Sequence, residues 1–168
     1  MQKIRLIARW LPLFFAVIAL ASSDEVYRAA SIDDSGQLHI TLNNGNEVLP
    51  PRLHGQAAFS SPGISADHRT VGWLAQYPNP FSEARRDLLS GALVLYRNGR
   101  ILHRFDTDQI FWDWHFQDGG KRVAYSTGPT HRGAAECVLI DASSGKVIAR
   151  WSVTPNGTPP GWAEPLRR

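Results

Sequence analysis

Apolar positions along this chain fall into short runs and alternations cut by Asp, Asn, Gly and Pro, a pattern that predicts strands joined by turns. The clearest stretch is residues 111–151. Residues 110–116 set aromatics at near-alternating positions, which suits a half-buried strand. Strict alternation would place Trp112 and Trp114 together on the core face, with Asp113 and His115 on the other. Gln117-Asp118-Gly119-Gly120-Lys121 supplies the positive φ that a tight turn needs. Residues 122–126 return, with Val123 and Tyr125 on one face. After a loop over 127–134, the apolar run 135–140 predicts a central strand buried on both faces. A turn over 141–145 leads to a last alternating strand, 146–151.

A degenerate copy lies upstream, over residues 56–105. Ser65-Ala66-Asp67-His68-Arg69-Thr70-Val71-Gly72-Trp73 answers the segment from Phe116 to Tyr125 with one inserted residue, and Arg104-Phe105 answers Arg150-Trp151. A third, partial copy covers 38–49 and holds a single hairpin with Asn44-Gly45 at its turn. The period of roughly 50 residues is in the range that signals arrayed four-stranded units.

Asp118-Gly119-Gly120-Lys121-Arg122-Val123-Ala124-Tyr125, then an apolar strand, a Ser-Gly-Lys turn and Val147-Ile148-Ala149-Arg150-Trp151, resembles the WD-like repeat of exported bacterial propellers, the TolB type. That repeat centres on Ser-Pro-Asp-Gly-Lys. The downstream unit has Phe116-Gln117 in place of Ser-Pro. The upstream unit keeps Ser65 and Asp67, with Ala66 for Pro and His68 for Gly. The resemblance covers residues 38–151. It implies an all-β fold of antiparallel, four-stranded, blade-like sheets forming an incomplete propeller, or a twisted β-sandwich. It carries little about function, because propellers host many unrelated activities.

Residues 1–21 read as a signal peptide. Lys3, Arg5 and Arg9 form a basic start, residues 10–20 an apolar core too short to span a bilayer comfortably, and Ala19-Leu20-Ala21 a small-x-small cleavage site. Retention as an anchor is the alternative. The expected location is periplasmic or secreted, with no stable membrane span after cleavage. Those three cations account for the whole net charge of +3; the other 15 Lys and Arg equal the 15 Asp and Glu. No basic stripe is left for phosphates, so nucleic acid is excluded as a partner. Cys137 is the single cysteine, and its apolar strand predicts a buried, inert thiol.

Residues 22–36 read as a polar lead-in, with a short strand conceivable at 26–30, and residues 37–151 as the β domain. Residues 81–90 are the one plausibly helical stretch, with Ser82 as cap. Residues 152–168 hold four prolines and read as an extended or disordered tail, with Trp162 able to dock on the sheet. The Asn156-Gly157-Thr158 sequon reads as chance. About two and a half units are too few to close a propeller. Stacking as a sandwich, closing a ring with a second copy, and docking beside a larger propeller all remain open.

In a propeller arrangement the loops 53–56, 78–90, 106–109 and 128–134 share one face. They carry His54, Arg85, Arg86, Asp106, Asp108, His131 and Arg132, where binding is expected because loops on a rigid scaffold tend to carry function. Asp106-x-Asp108 lacks the rest of a calcium loop. There is no Gly-x-Ser-x-Gly elbow and no phosphate loop. The expectation is a non-catalytic module without cofactor or metal, binding a protein or peptide of the cell envelope and conceivably pairing as a homodimer. A remnant of a propeller-containing hydrolase and a partner completing another propeller are the alternatives.

Overall fold

The structure, a computed structural model, describes residues 25–82, 84, 87–129, 135–154 and 156–166. The expected signal peptide lies outside them. The protein is all-β: three antiparallel sheets, each built from consecutive strands, and none closed. The first sheet holds β1 (Tyr27–Ile32), β2 (Leu38–Leu42) and β3 (Glu47–Val48). The second holds β4 (Ala58–Ile64), β5 (Val71–Pro78), β6 (Leu88–Arg97) and β7 (Arg100–Asp106). The third holds β8 (Ile110–Gln117), β9 (Arg122–Gly128), β10 (Glu136–Asp141) and β11 (Val147–Ser152). The two sequence copies are thus the second and third sheets, and the partial copy is the β2–β3 hairpin.

The sheets stack in chain order. The second is the middle layer, and strand alternation divides its apolar runs between two neighbours. On β5 and β6, Val71, Trp73, Ala75, Ala92, Val94 and Tyr96 turn to the first sheet, where they bury Tyr27, Leu38 and Ile40. The intervening Leu74, Leu93 and Leu95 turn to the third, against Trp114, Val123 and Ile140. An unbroken apolar run here means a strand covered on both sides.

Turns tie the layers together at one end. Between β4 and β5, the Ser65 hydroxyl donates to Asp67 at 2.5 Å and accepts from the Thr70 amide at 2.9 Å. His68, at φ 57, offers its carbonyl to the Tyr27 amide at 2.7 Å, and its Nδ1 lies 2.9 Å from the Tyr27 carbonyl oxygen. Gly120, at φ 99, rests so close on the same turn that a β-carbon would stand 2.6 Å from the Ser65 Cβ.

The short strand expected in the lead-in is β1, which pairs with β2 from Tyr27↔Leu42 to Ile32↔Leu38 and buries the Tyr27 ring completely. Three expectations need correction. Residues 88–90 are strand: Leu88, Leu89 and Ser90 pair with Pro78, Tyr77 and Gln76, and sheet pairing overrides a weak local helix pattern. Trp112 is not core. A β-bulge between Phe111 and Asp113 shifts the phase by one residue, so Phe111 and Trp114 share the buried face and Trp112 is 45% exposed. The tail is ordered where described. It ends in a 3-10 turn, Glu164–Leu166, and buries Ala163 and Leu166 on the third sheet beside Trp162.

Candidate functional site

The β5–β6 connection, the β7–β8 connection and the end of β9 meet at the end of the stack opposite the Ser65 and Gly120 turns. They enclose an open cleft of about 440 Å³. Its apolar wall is Tyr77, Pro78, Pro80, Phe81, Leu89 and Pro129, and its polar side is Arg104, Asp106, Asp108 and Gln109. The wall follows from the sequence: proline ends β5 and cannot donate to a ladder, so the chain leaves the sheet and carries Phe81 outward. Phe81 is 90% exposed.

On the polar side, Arg104 and Asp106 sit two apart on β7, so their side chains share a face. The guanidinium reaches one carboxylate oxygen of Asp106 through Nε at 2.8 Å and through Nη2 at 2.6 Å. That pairing raises the Arg104 pKa. Among the described residues Asp108 accepts only a long contact of 3.4 Å from the Thr107 hydroxyl and makes no ion pair. The Tyr77 ring lies against Gly91, where a β-carbon would stand 2.9 Å from its Cδ2. Among the described residues its hydroxyl is buried without a hydrogen-bond partner, and burial pushes its pKa up.

Of the residues nominated from sequence, Asp106 and Asp108 line this cleft together. His54 does not line it, although a β-carbon on the neighbouring Gly55 would stand 4.0 Å from the Tyr77 Cδ1. Arg85, Arg86, His131 and Arg132 lie outside the described residues. Sequence reasoning named the loop that carries Phe81 without naming the ring, and it missed Tyr77 and Arg104, which belong to strands. The signal for Arg104 was its spacing from Asp106 on one strand face.

A second cleft, of about 470 Å³, runs between the sheet-edge strands β4 and β8. His115 and Gln117 line it. The Gln117 amide nitrogen lies 2.8 Å from His115 Nε2 and donates to the Trp162 carbonyl at 2.7 Å. Burial lowers the His115 pKa, which keeps the imidazole neutral. Trp114 Nε1 donates to the Ser61 carbonyl at 3.0 Å and closes the inner wall. No nucleophile stands in hydrogen-bond contact with His115 among the described residues. His103 is held elsewhere, by the Ser143 carbonyl at 2.9 Å. No group of three or more potential metal ligands converges among the described residues.

No protein-family model matches the chain, and no curated protein matches it in sequence. Among the described residues no helix is long and apolar enough to cross a membrane.

Proposed function

We propose that the protein is an exported, non-catalytic binding module of the cell envelope that takes an extended segment of another protein in the cleft at the loop end. One observation carries this reading: Phe81 stands 90% exposed over a cleft whose other walls come from strand ends and connections of two sheets. A bare aromatic ring costs solubility, and at the rim of an apolar cleft it offers a large contact area at small entropic cost. The Arg104–Asp106 pair and Asp108 would read the polar groups of that segment and set its direction. The resemblance to exported WD-like propeller repeats and the signal-peptide pattern support export to the periplasm or beyond.

The test is site-specific photo-crosslinking in intact cells. A photoreactive residue at position 81 should trap a discrete partner, and one at Ser144, on the far turn, should not. Adding Asp108→Ala should weaken trapping several-fold without changing the circular dichroism of the purified protein. Equal trapping from both positions, or none from position 81, would end this reading.

A further inference from the structure

The tail is held on the third sheet by packing and by one side chain. Ala163 and Leu166 pack with Ala124, Cys137 and Leu139, and Trp162 lies beside them. Within the described tail the backbone hydrogen bonds are local: Gly157 to Thr154, Ala163 to Pro160 and Leu166 to Ala163. The Gln117 amide nitrogen, at the end of β8, reaches across to the Trp162 carbonyl at 2.7 Å. The same nitrogen lies 2.8 Å from His115 Nε2.

The chemistry of these contacts places the protons. A carbonyl oxygen can only accept, so the Gln117 atom that meets Trp162 is the nitrogen. Its second hydrogen serves His115, whose Nε2 must then accept, and the ring proton sits on Nδ1. A further proton can enter the ring only at Nε2, where N–H would meet N–H. Turning the amide round relieves that clash but sets Oε1 against the Trp162 carbonyl, acceptor against acceptor. No orientation of Gln117 serves both an imidazolium and the docked tail. Few charges bear on the ring. Burial opposes its protonation, and Asp113 on the same strand favours it less strongly. β4, across the cleft, and Ala124, beside it on β9, carry no charge. Asp118, in the turn after β8, is paired with Arg122 at 3.0 Å, and Glu164 in the tail is exposed.

We propose that the tail is a pH-controlled cover: a proton on His115 breaks the Gln117 tie to Trp162, and the tail lifts from the outer face of the third sheet. The coupling is reciprocal. The docked tail makes His115 harder to protonate by the same factor by which a proton on His115 makes the tail easier to release. Docking is therefore complete above the pKa that the ring has with the tail away, and weakens as pH falls through that value. What the proton uncovers is apolar, with Cys137 and Leu139 only 0% and 3% exposed while the tail is down.

Cys137 beneath the tail supplies the readout in the purified full chain. The probe is a dipyridyl disulfide, which reacts with thiols in acid as well as at neutral pH, and each rate is divided by that of the unfolded protein at the same pH. From pH 8 to pH 5 this ratio should rise about fivefold or more, the worth of one hydrogen bond, with the circular dichroism unchanged. In His115→Gln the new amide oxygen accepts from Gln117 at every pH, so the ratio should stay low and level. In Gln117→Ala the tie is absent throughout, so the ratio should be raised already at pH 8 and no longer follow pH. A level ratio in the unaltered protein overturns the proposal, as does an equal rise in His115→Gln. If His115→Gln loses the fold, Gln117→Ala decides: a ratio at pH 8 no higher than that of the unaltered protein, or an undiminished pH dependence, also overturns it.

Discussion

The Trp114 indole lies across Gly72, so close that a β-carbon on Gly72 would stand 2.5 Å from Cη2 and 2.9 Å from Cζ3. Trp114 belongs to the third sheet and Gly72 to the middle one, and the missing side chain is what admits the ring. The same β-carbon would stand 3.2 Å from Leu95 Cδ2, so the methyl of an alanine has no direction in which to move freely. Gly72→Ala should lower stability by about 1–3 kcal/mol through overpacking. Trp114→Leu should lower it by a similar or larger amount through the cavity it leaves. In a denaturant double-mutant cycle the two losses should fall short of adding, because removing the ring removes the clash. Strict additivity would mean that the ring and the glycine are not in contact.

The two histidines on outer faces should give stability opposite pH dependences. Hydrogen bonds to Asp33 and then Glu47 raise the His39 pKa above its ordinary value. Its contribution is therefore complete below the unfolded value of about 6.5 and is lost as pH rises through the raised folded value. Burial lowers the His115 pKa, so protons favour the unfolded chain and stability falls as pH drops below about 6.5. The destabilisation caused by His39→Gln should grow from pH 8 to pH 6, and that caused by His115→Gln should shrink over the same interval. Urea midpoints at the two pH values check both signs.

Cys137 is fully buried and unpaired, and burial pushes its thiol pKa up, so little thiolate exists at neutral pH. A soluble disulfide reagent should modify the native protein slowly, at a rate that rises with denaturant. Immediate modification without denaturant would place the thiol outside the core.

What the sequence disclosed follows from where period two survives. The runs at Val71–Ala75 and Ala92–Tyr96 were readable as strands because both of their faces are apolar. Trp112 was misread because a one-residue bulge reverses every later side chain and leaves no mark in composition. Leu88 and Leu89 resembled the end of a helix until their partners on β5, Pro78 and Tyr77, were known. Tyr27 is a single aromatic in a polar segment, and its burial depends on Tyr96, 6.2 Å away between ring centroids. Asp106 and Asp108 could be named from loop positions. The cleft they enter required Tyr77 from the end of β5 and Phe81 from a stretch read as helical, and no local pattern places those rings beside Asp108.

Every sheet is made of strands that follow one another in the chain, and no strand crosses from one sheet to another. A chain lengthening from its N-terminus can therefore finish the middle sheet at Asp106 before Ile110, where the third begins, has been synthesised. Each completed sheet then presents an apolar wall to its successor, so assembly proceeds by accretion from short-range contacts rather than by a search for distant ones.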